Sequence, residues 1–179
     1  HRNVLLVSVS EGQTLANYST KQGNTLLSRE LIHGDRDPVI IEYGISNRWG
    51  LGVTSGMDVF KINPAQYYGF NVANNLIKST SSEFTFDGNY HFFVNRRLDL
   101  SAFASLGCFS VHYKGVDRGE VAYSYTANGN ILRLGTKVRY YFYKHLGAFG
   151  MLSSYAATTS TKDVKDNSVA RDIRTNING

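Results

Sequence analysis

The segment 83–93, Glu-Phe-Thr-Phe-Asp-Gly-Asn-Tyr-His-Phe-Phe, decides the fold class. Phe84, Phe86, Tyr90 and Phe92 fall on one side of it, and Glu83, Thr85, Asp87, Asn89 and His91 on the other. Successive side chains of a β-strand point to opposite faces, so this alternation marks a strand with one apolar and one polar face. A helix would repeat its apolar residues every three to four positions, and no stretch of the chain sustains that period.

The same period recurs on both sides of this segment. In 132–142, Leu132, Leu134, Val138, Tyr140 and Phe142 alternate with Arg133, Gly135, Lys137, Arg139 and Tyr141. In 49–58, Trp49, Leu51, Val53 and Met57 alternate with Gly50, Gly52, Thr54, Gly56 and Asp58. In 39–46, Val39, Ile41, Tyr43 and Ile45 face away from Ile40, Glu42, Gly44 and Ser46. Residues 98–113 set Leu98, Leu100, Ala102, Ala104 and Leu106 against Asp99, Ser101, Ser105 and Gly107, and the pattern breaks near Phe109, which reads as a bulge. Residues 3–10, 146–159 and 171–179 complete eight strands.

The connections fall into two classes. Residues 46–48, 95–97 and 143–145 are three-residue turns, whereas 11–37, 62–81, 114–127 and 161–170 read as long loops. Short and long alternate around the chain, the layout of an up-and-down barrel with tight periplasmic turns and long extracellular loops. The expectation is therefore an all-β fold, an up-and-down antiparallel eight-stranded transmembrane β-barrel, as a single domain over 1–179. Its N-terminus falls on the periplasmic side.

Composition agrees. Of 179 residues, 12 are Tyr, 10 Phe, 17 Gly and only 2 Pro, and the charged fraction is 18%, below the roughly 25% usual in soluble domains. No run approaches the ~20 apolar residues of a membrane helix, so a membrane would have to be crossed by strands. The one cysteine, Cys108, allows no internal disulfide. Net charge is +5, but the Lys and Arg are scattered, with no basic helix or aromatic RNA-binding motif, which argues against nucleic acid.

A membrane barrel turns its apolar face outward and its polar face into the lumen. The polar face carries Glu42, Asp58, Glu83, Asp87 and Asp99 with Arg133, Lys137 and Arg139, a set of both signs that could pair inside a narrow barrel. The expected pairing sets Glu83 and Asp87 against Arg133, Lys137 and Arg139. Gly44, Gly50, Gly52, Gly56 and Gly135 on the same face leave room for long side chains. Tyr43, Trp49, Phe92, Tyr140 and Phe142 gather near the short turns, where a periplasmic aromatic girdle would lie. A soluble sandwich could instead turn the polar face to water, and a soluble ligand-binding barrel of lipocalin type is a further alternative.

The run 42–53, Glu-Tyr-Gly-Ile-Ser-Asn-Arg-Trp-Gly-Leu-Gly-Val, resembles the strand–turn–strand unit of small outer-membrane β-barrel families, Bacteroidota members included. The layout as a whole resembles OmpA- and OmpX-type eight-stranded barrels. That resemblance implies insertion into the bacterial outer membrane, without implying one activity. Such barrels usually end in an aromatic-terminated strand, whereas this sequence stops at Asn178-Gly179, so the final strand is expected to continue.

Sites of chemistry are sparse. Gly50, Gly52 and Gly56 lack the spacing and following helix of a dinucleotide fingerprint. Ser110 and His112 share a strand face, the arrangement a lipid deacylase could use, but without an identifiable acidic partner. His33, Asp35 and Asp37 offer oxygen and nitrogen ligands in what reads as a solvated turn, and Asn17-Tyr18-Ser19 matches a glycosylation sequon. No cofactor, metal or catalytic residue is assigned. In the second long loop, Tyr67, Tyr68, Phe70, Leu76 and Ile77 carry more apolar surface than solvation favours and are candidate partner contacts. An eight-stranded barrel is just wide enough to be filled by side chains, so no open solute path is expected. The sequence thus points to a non-enzymatic outer-membrane protein. The role expected for it is an accessory or structural subunit, or a surface-binding component, of a larger assembly. Its partners would be lipid or lipopolysaccharide and other outer-membrane proteins; a lipid-modifying enzyme is the alternative.

Overall fold

The computed structural model describes residues 2–22, 24–62, 77–117, 120–161 and 173–178. They form one antiparallel sheet of β1 (Leu5–Val9), β2 (Gly12–Gln22), β3 (Thr25–Arg36), β4 (Val39–Gly44), β5 (Trp49–Ile62), β6 (Ile77–Val94), β7 (Leu98–Asp117), β8 (Glu120–Tyr143), β9 (Leu146–Thr161) and β10 (Ile173–Asn178).

These ten segments build eight staves. β1 pairs with β4 and β2 with β3, while β5 carries β4 along Gly50–Ser55 and β3 along Asp58–Phe60. β1 and β2 therefore lie end to end, as do β3 and β4. Pro38 marks the second break because it has no amide hydrogen to give the ladder. Ser10 N donates to Pro38 O at 3.2 Å and Asp37 N to Met57 O at 3.1 Å, which carries the bonding across both breaks. The β5–β6 ladder and the pairing of β10 with β2 and β9 bring the ends of the sheet together. The expected eight-stave up-and-down barrel is the observed fold.

Three of the expected long connections are corrected, 62–81 because β6 already begins at Ile77. Most of 11–37 is the β2–β3 hairpin, and within 114–127 β7 continues to Asp117 and β8 begins at Glu120. Among the described side chains there, Ala16, Tyr18, Ile32 and Ala127 lie inside, so the alternation does not keep the phase of the clear strands, although Leu15 and Leu31 face outward. Tyr67, Tyr68, Phe70 and Leu76 lie outside the described residues; Ile77 opens β6, its side chain undescribed.

The break near Phe109 is likewise not a bulge. Phe109 stands opposite Glu83 on β6 and Gly129 on β8 in unbroken register. Bulges instead fall at His91/Phe93 and Tyr141/Tyr143, beside the short turns. A bulge admits one extra residue, and both Phe92 and Phe93 consequently face outward.

Two of the three short turns close by one local device. Ser46 Oγ accepts the Arg48 and Trp49 amides at 3.2 and 3.0 Å, and Asn95 Oδ1 accepts the Arg97 and Leu98 amides at 2.8 and 2.6 Å. A short polar side chain that bonds backbone two and three residues on fixes the chain reversal without help from tertiary packing.

Candidate functional site

The outer wall fixes the surroundings of everything else. Leu5, Val7, Val9, Val39, Ile41, Tyr43, Trp49, Leu51, Phe84, Phe86, Leu106, Leu132, Leu134, Val138 and Leu152 are all exposed, and they fall on seven of the eight staves. At the turn side Trp49, Phe92, Tyr140, Phe142 and Tyr143 are exposed, with Trp49 packed on Tyr90 at 4.9 Å between ring centroids. A water-soluble monomer does not leave a continuous apolar belt of this extent open to solvent.

β8 shows where the belt ends. Leu132, Leu134, Val138, Tyr140 and Phe142 face outward, and Arg133, Lys137 and Arg139 are buried inward. Four residues toward the loop side the polarity is reversed: Asn128 and Asn130 face outward, whereas Ala127 and Ile131 are buried inside. β7 repeats this, from Ala104 and Leu106 outside to the more polar Ser110 and His112, and from Asp99, Ser101 and Ser105 inside to Phe109 and Val111. On β3 and β4, His33, Asp35 and Asp37 lie outside beyond Val39 and Ile41, and Leu31 is exposed again further along. The 24 residues of β8 extend over roughly 80 Å at about 3.3 Å each, far beyond the nine to eleven that a tilted strand needs to cross a bilayer. The reversal divides β7 and β8 into a lipid-embedded half and a water-exposed half.

The lumen of the lipid-embedded half is stitched by charged side chains from facing staves. Near the turns, His91 of β6 lies between Asp99 of β7 and Glu42 of β4, with 2.8 Å from Nδ1 to Asp99 Oδ1 and 2.8 Å from Nε2 to Glu42 Oε1. Arg139 of β8 donates to both carboxylates, at 3.1 Å to Asp99 Oδ2 and also to Glu42 Oε2. The four residues come from four strands, so the cluster ties the barrel across its diameter. Gly50 makes this possible, since a Cβ there would come within 2.6 Å of Glu42 Oε1.

One layer up, Lys137 Nζ donates to Asn89 Oδ1 at 2.8 Å and sits 4.5 Å above the centre of the Phe103 ring. Asp87 accepts the hydroxyls of Thr54 and Thr85. Higher still, Arg133 gives two hydrogen bonds to Glu83, Arg36 gives a third, and Arg36 also lies 3.8 Å from Asp58. Thr14 and Ser81 donate to Asp58, both at 3.3 Å. Above this layer the interior turns apolar, with Ala16, Tyr18, Ile32, Phe60, Phe109, Val111, Ala127, Ile131, Ala157 and Ile177 packed as one cluster.

All eight residues singled out as a lumen charge set are buried: Glu42, Asp58, Glu83, Asp87, Asp99, Arg133, Lys137 and Arg139. Their partners differ in part from the pairing expected from the sequence. Glu83 does hold Arg133, but the ion-pair partners of Arg139 are Glu42 and Asp99, and Lys137 and Asp87 bond to neutral groups. Arg36 was missed because it fell in a stretch that read as loop. Its signal is visible afterwards: it shares a face with Ile40 and Glu42, whose alternation runs on through Pro38.

Other candidates do not assemble into a site. His33 and Asp35 stand on the outer face of a strand, not in a turn, and no cluster of His, Cys, Asp and Glu able to hold a metal occurs among the described residues. Ser110 and His112 lie on the outer face of β7 just beyond the belt, where His112 Nδ1 sits 3.1 Å from Thr126 Oγ1. Gly50, Gly52 and Gly56 lie in a strand facing the lumen side chains, as Glu42 at Gly50 and Glu83 at Gly56 show.

No family model matches the chain, and no curated protein matches it by sequence. Among solved structures it is similar to Ail, the attachment invasion locus protein of Yersinia pestis, in complex with the heparin analogue sucrose octasulfate. That match has 14% identity over 97% of this chain and 94% of the other, with a TM-score of 0.44. Neisserial surface protein A matches at 11% identity over 96% and 94%, with a TM-score of 0.43. The N-terminal β-barrel domain of Pseudomonas aeruginosa OprF matches at 12% over 95% and 93%, with a TM-score of 0.35. Belt, polar lumen and up-and-down topology in this chain are those of a transmembrane β-barrel of the bacterial outer membrane.

Proposed function

We propose that this barrel is a non-enzymatic surface platform, one component of a larger outer-membrane assembly, in which the loop-side hairpins carry the contacts. The observation behind this reading is the reversal of polarity along the strands. Beyond the belt, β2, β3, β7 and β8 continue as paired strands around an apolar plug, so the barrel rises out of the membrane as a tower whose outer face is polar on β7 and β8 and mixed on β2 and β3. A tower of this kind fixes what its tips present. The lumen beneath is crossed by the ion-paired layers, which argues against a wide solute path. The segment with Tyr67, Tyr68 and Phe70 follows β5 and precedes β6 in the sequence, and tyrosine suits partner contacts by joining apolar area to a polar tip. The partners proposed are lipopolysaccharide at the rim and another outer-membrane protein at the tips.

Extraction of native membranes in mild detergent, followed by sizing and identification of co-purifying protein, tests the reading. Replacement of Tyr67, Tyr68 and Phe70 by Ser is expected to release the partner while the barrel still folds. A monodisperse monomer in both forms would reject the assembly. Planar bilayers holding the pure protein are expected to show no steady open-channel steps, and large reproducible steps would reject the filled lumen.

A further inference from the structure

The turn-side end of the barrel carries a ring of positive charge. Arg48 lies between β4 and β5, Arg96 and Arg97 between β6 and β7, Lys144 between β8 and β9, and Arg2 ahead of β1. All five side chains are exposed, and none is in an ion pair among the described residues. The pairing of β1 with β4, of β4 with β5, and of each strand from β5 to β9 with the next sets them one after another around this end. No exposed Asp or Glu accompanies them among the described residues. The carboxylates of this end are Glu42 and Asp99, which are buried with Arg139 and His91. The described carboxylates that are exposed, Glu11, Asp35 and Asp37, lie beyond Val9 and Val39 on the loop side.

The backbone under the ring is fixed. Arg48 and Arg97 each give their amide to a side chain of their own turn, Ser46 at 3.2 Å and Asn95 at 2.8 Å. Their carbonyls accept the amides of His91 at 2.8 Å and Tyr141 at 2.7 Å. Asn3 N donates to Gly44 O at 2.8 Å, which ties the neighbour of Arg2 to the first turn. Like charges held together at one end repel one another, and acids interspersed among them would offset this. The described residues supply none, so the counter-charge comes from outside the barrel. The surroundings fix what lies there. Tyr43, Trp49, Phe92, Tyr140 and Tyr143 face outward next to the same turns. Aromatic side chains in this position mark the headgroup level of a bilayer. Lys and Arg beside them lay their methylene stems along the apolar wall and hold their charge among the headgroups.

We infer that the turn-side ring binds the phosphates of anionic phospholipids in the periplasmic leaflet and gathers those lipids around the barrel. Three features favour lipid over a docked macromolecule. The cations are spread around the end and not gathered on one flank, and lipid surrounds a barrel in the same way. They are continuous with the belt, since Arg48 adjoins the outward-facing Trp49 and Lys144 the outward-facing Tyr143. Charge is complementary, because each cation near an anionic lipid surface strengthens attachment by roughly fivefold. The loop-side end has no such ring among the described residues, where Arg29 and Lys21 share the outer face with Glu11, Asp35 and Asp37. The two ends therefore select different surroundings. The inference rests on the belt facing lipid and is independent of the loop-side assembly.

Trp49 is the one tryptophan of the chain and stands next to Arg48, so its fluorescence reports on the lipid at the ring. The protein is placed in phosphatidylcholine vesicles that hold a minor fraction of a lipid brominated on its acyl chains, either phosphatidylglycerol or phosphatidylcholine. Bromine quenches indole on contact, and the difference between the two lipids measures the preference. Phosphatidylglycerol is expected to be favoured by about fivefold at low salt, and by less as salt rises. Joint replacement of Arg2, Arg48, Arg96, Arg97 and Lys144 by Gln is expected to abolish the preference, whereas Arg48→Lys keeps it. Lys21→Gln with Arg29→Gln, at the loop side, is expected to leave it unchanged. Circular dichroism checks that each form is folded, and Arg48→Gln alone, beside the reporter, carries the test if the joint variant is not. Equal quenching by the two lipids, or a preference that survives in the neutralised forms, would overturn the inference. So would salt-sensitive binding to isolated peptidoglycan without a lipid preference, which would assign the ring to the cell wall. Failure of every form to enter vesicles would reject the membrane reading and the inference with it.

Discussion

The two halves of the barrel share the same strands and have opposite interiors. On the turn side, Glu42, His91, Asp99 and Arg139 fill the lumen and Leu134, Val138 and Tyr140 face out; on the loop side, Phe60, Phe109 and Ile131 fill it and Asn128 and Asn130 face out. What changes between them is the solvent. Where the outside is hydrocarbon, the apolar residues are needed there, and the enclosed volume can hold charge only in paired and hydrogen-bonded form. Where the outside is water, the usual rule returns and the apolar residues go inside. The comparison teaches that a period-two pattern marks a strand in either half, but that its phase relative to the barrel wall reports the medium.

The largest effect that would break this comparison is expected from the ionic half. Glu83→Leu removes the carboxylate that both Arg36 and Arg133 hold, leaving two buried guanidinium groups without it. A loss of about 3–5 kcal/mol is expected from breaking a buried pair. Lys144→Met, at an exposed turn, is expected to stay within roughly 0.5 kcal/mol. Urea unfolding in lipid vesicles measures both, and equal midpoints would count against the network as a structural tie.

The boundary itself is sharpened by a charge placed on the outer face at two heights of one strand. Leu134→Arg, within the belt, is expected to cost about 2–4 kcal/mol, and Asn130→Arg, on the same face beyond it, about 0–1 kcal/mol. If both cost the same, the reversal of polarity does not mark the edge of the bilayer.

The smallest effect probes the plug. Ile131→Val removes one methylene from a fully buried side chain, and a loss of about 0.5–1.5 kcal/mol is expected. The same measurement in detergent, with no bilayer, should give a similar loss, because the plug lies above the membrane. A loss that vanishes outside the bilayer would place Ile131 within it.

Most of the strands could be read from the residues. Alternation at 39–46, 49–58, 83–93 and 132–142, and the spacing of short turns, follow from backbone geometry that each residue meets locally. So do Ser46 and Asn95, which close their turns with bonds to amides two and three residues away. The eight lumen residues were legible as members of a polar face for the same reason. The extent of the loop-side strands was not. Residues such as 16–18 and 127–131 alternate as well, but with the apolar side turned inward, and without the wall in place nothing in the local pattern says which side is inward.

The sequence by itself therefore determined the class of structure, the up-and-down order of the staves and the segregation of charge to one face. Each is set by dihedral alternation and by turns that close within a few residues. Tertiary structure alone decided who meets whom. Arg139 reaches Glu42 across 97 residues of chain and Arg133 reaches Glu83 across 50, and these pairings exist only once the sheet has curled until its two ends meet. Closure also sets the phase. Before it, each strand has two faces; after it, one of them is the lumen and the other the lipid or the water, and that assignment turns on the ring as a whole.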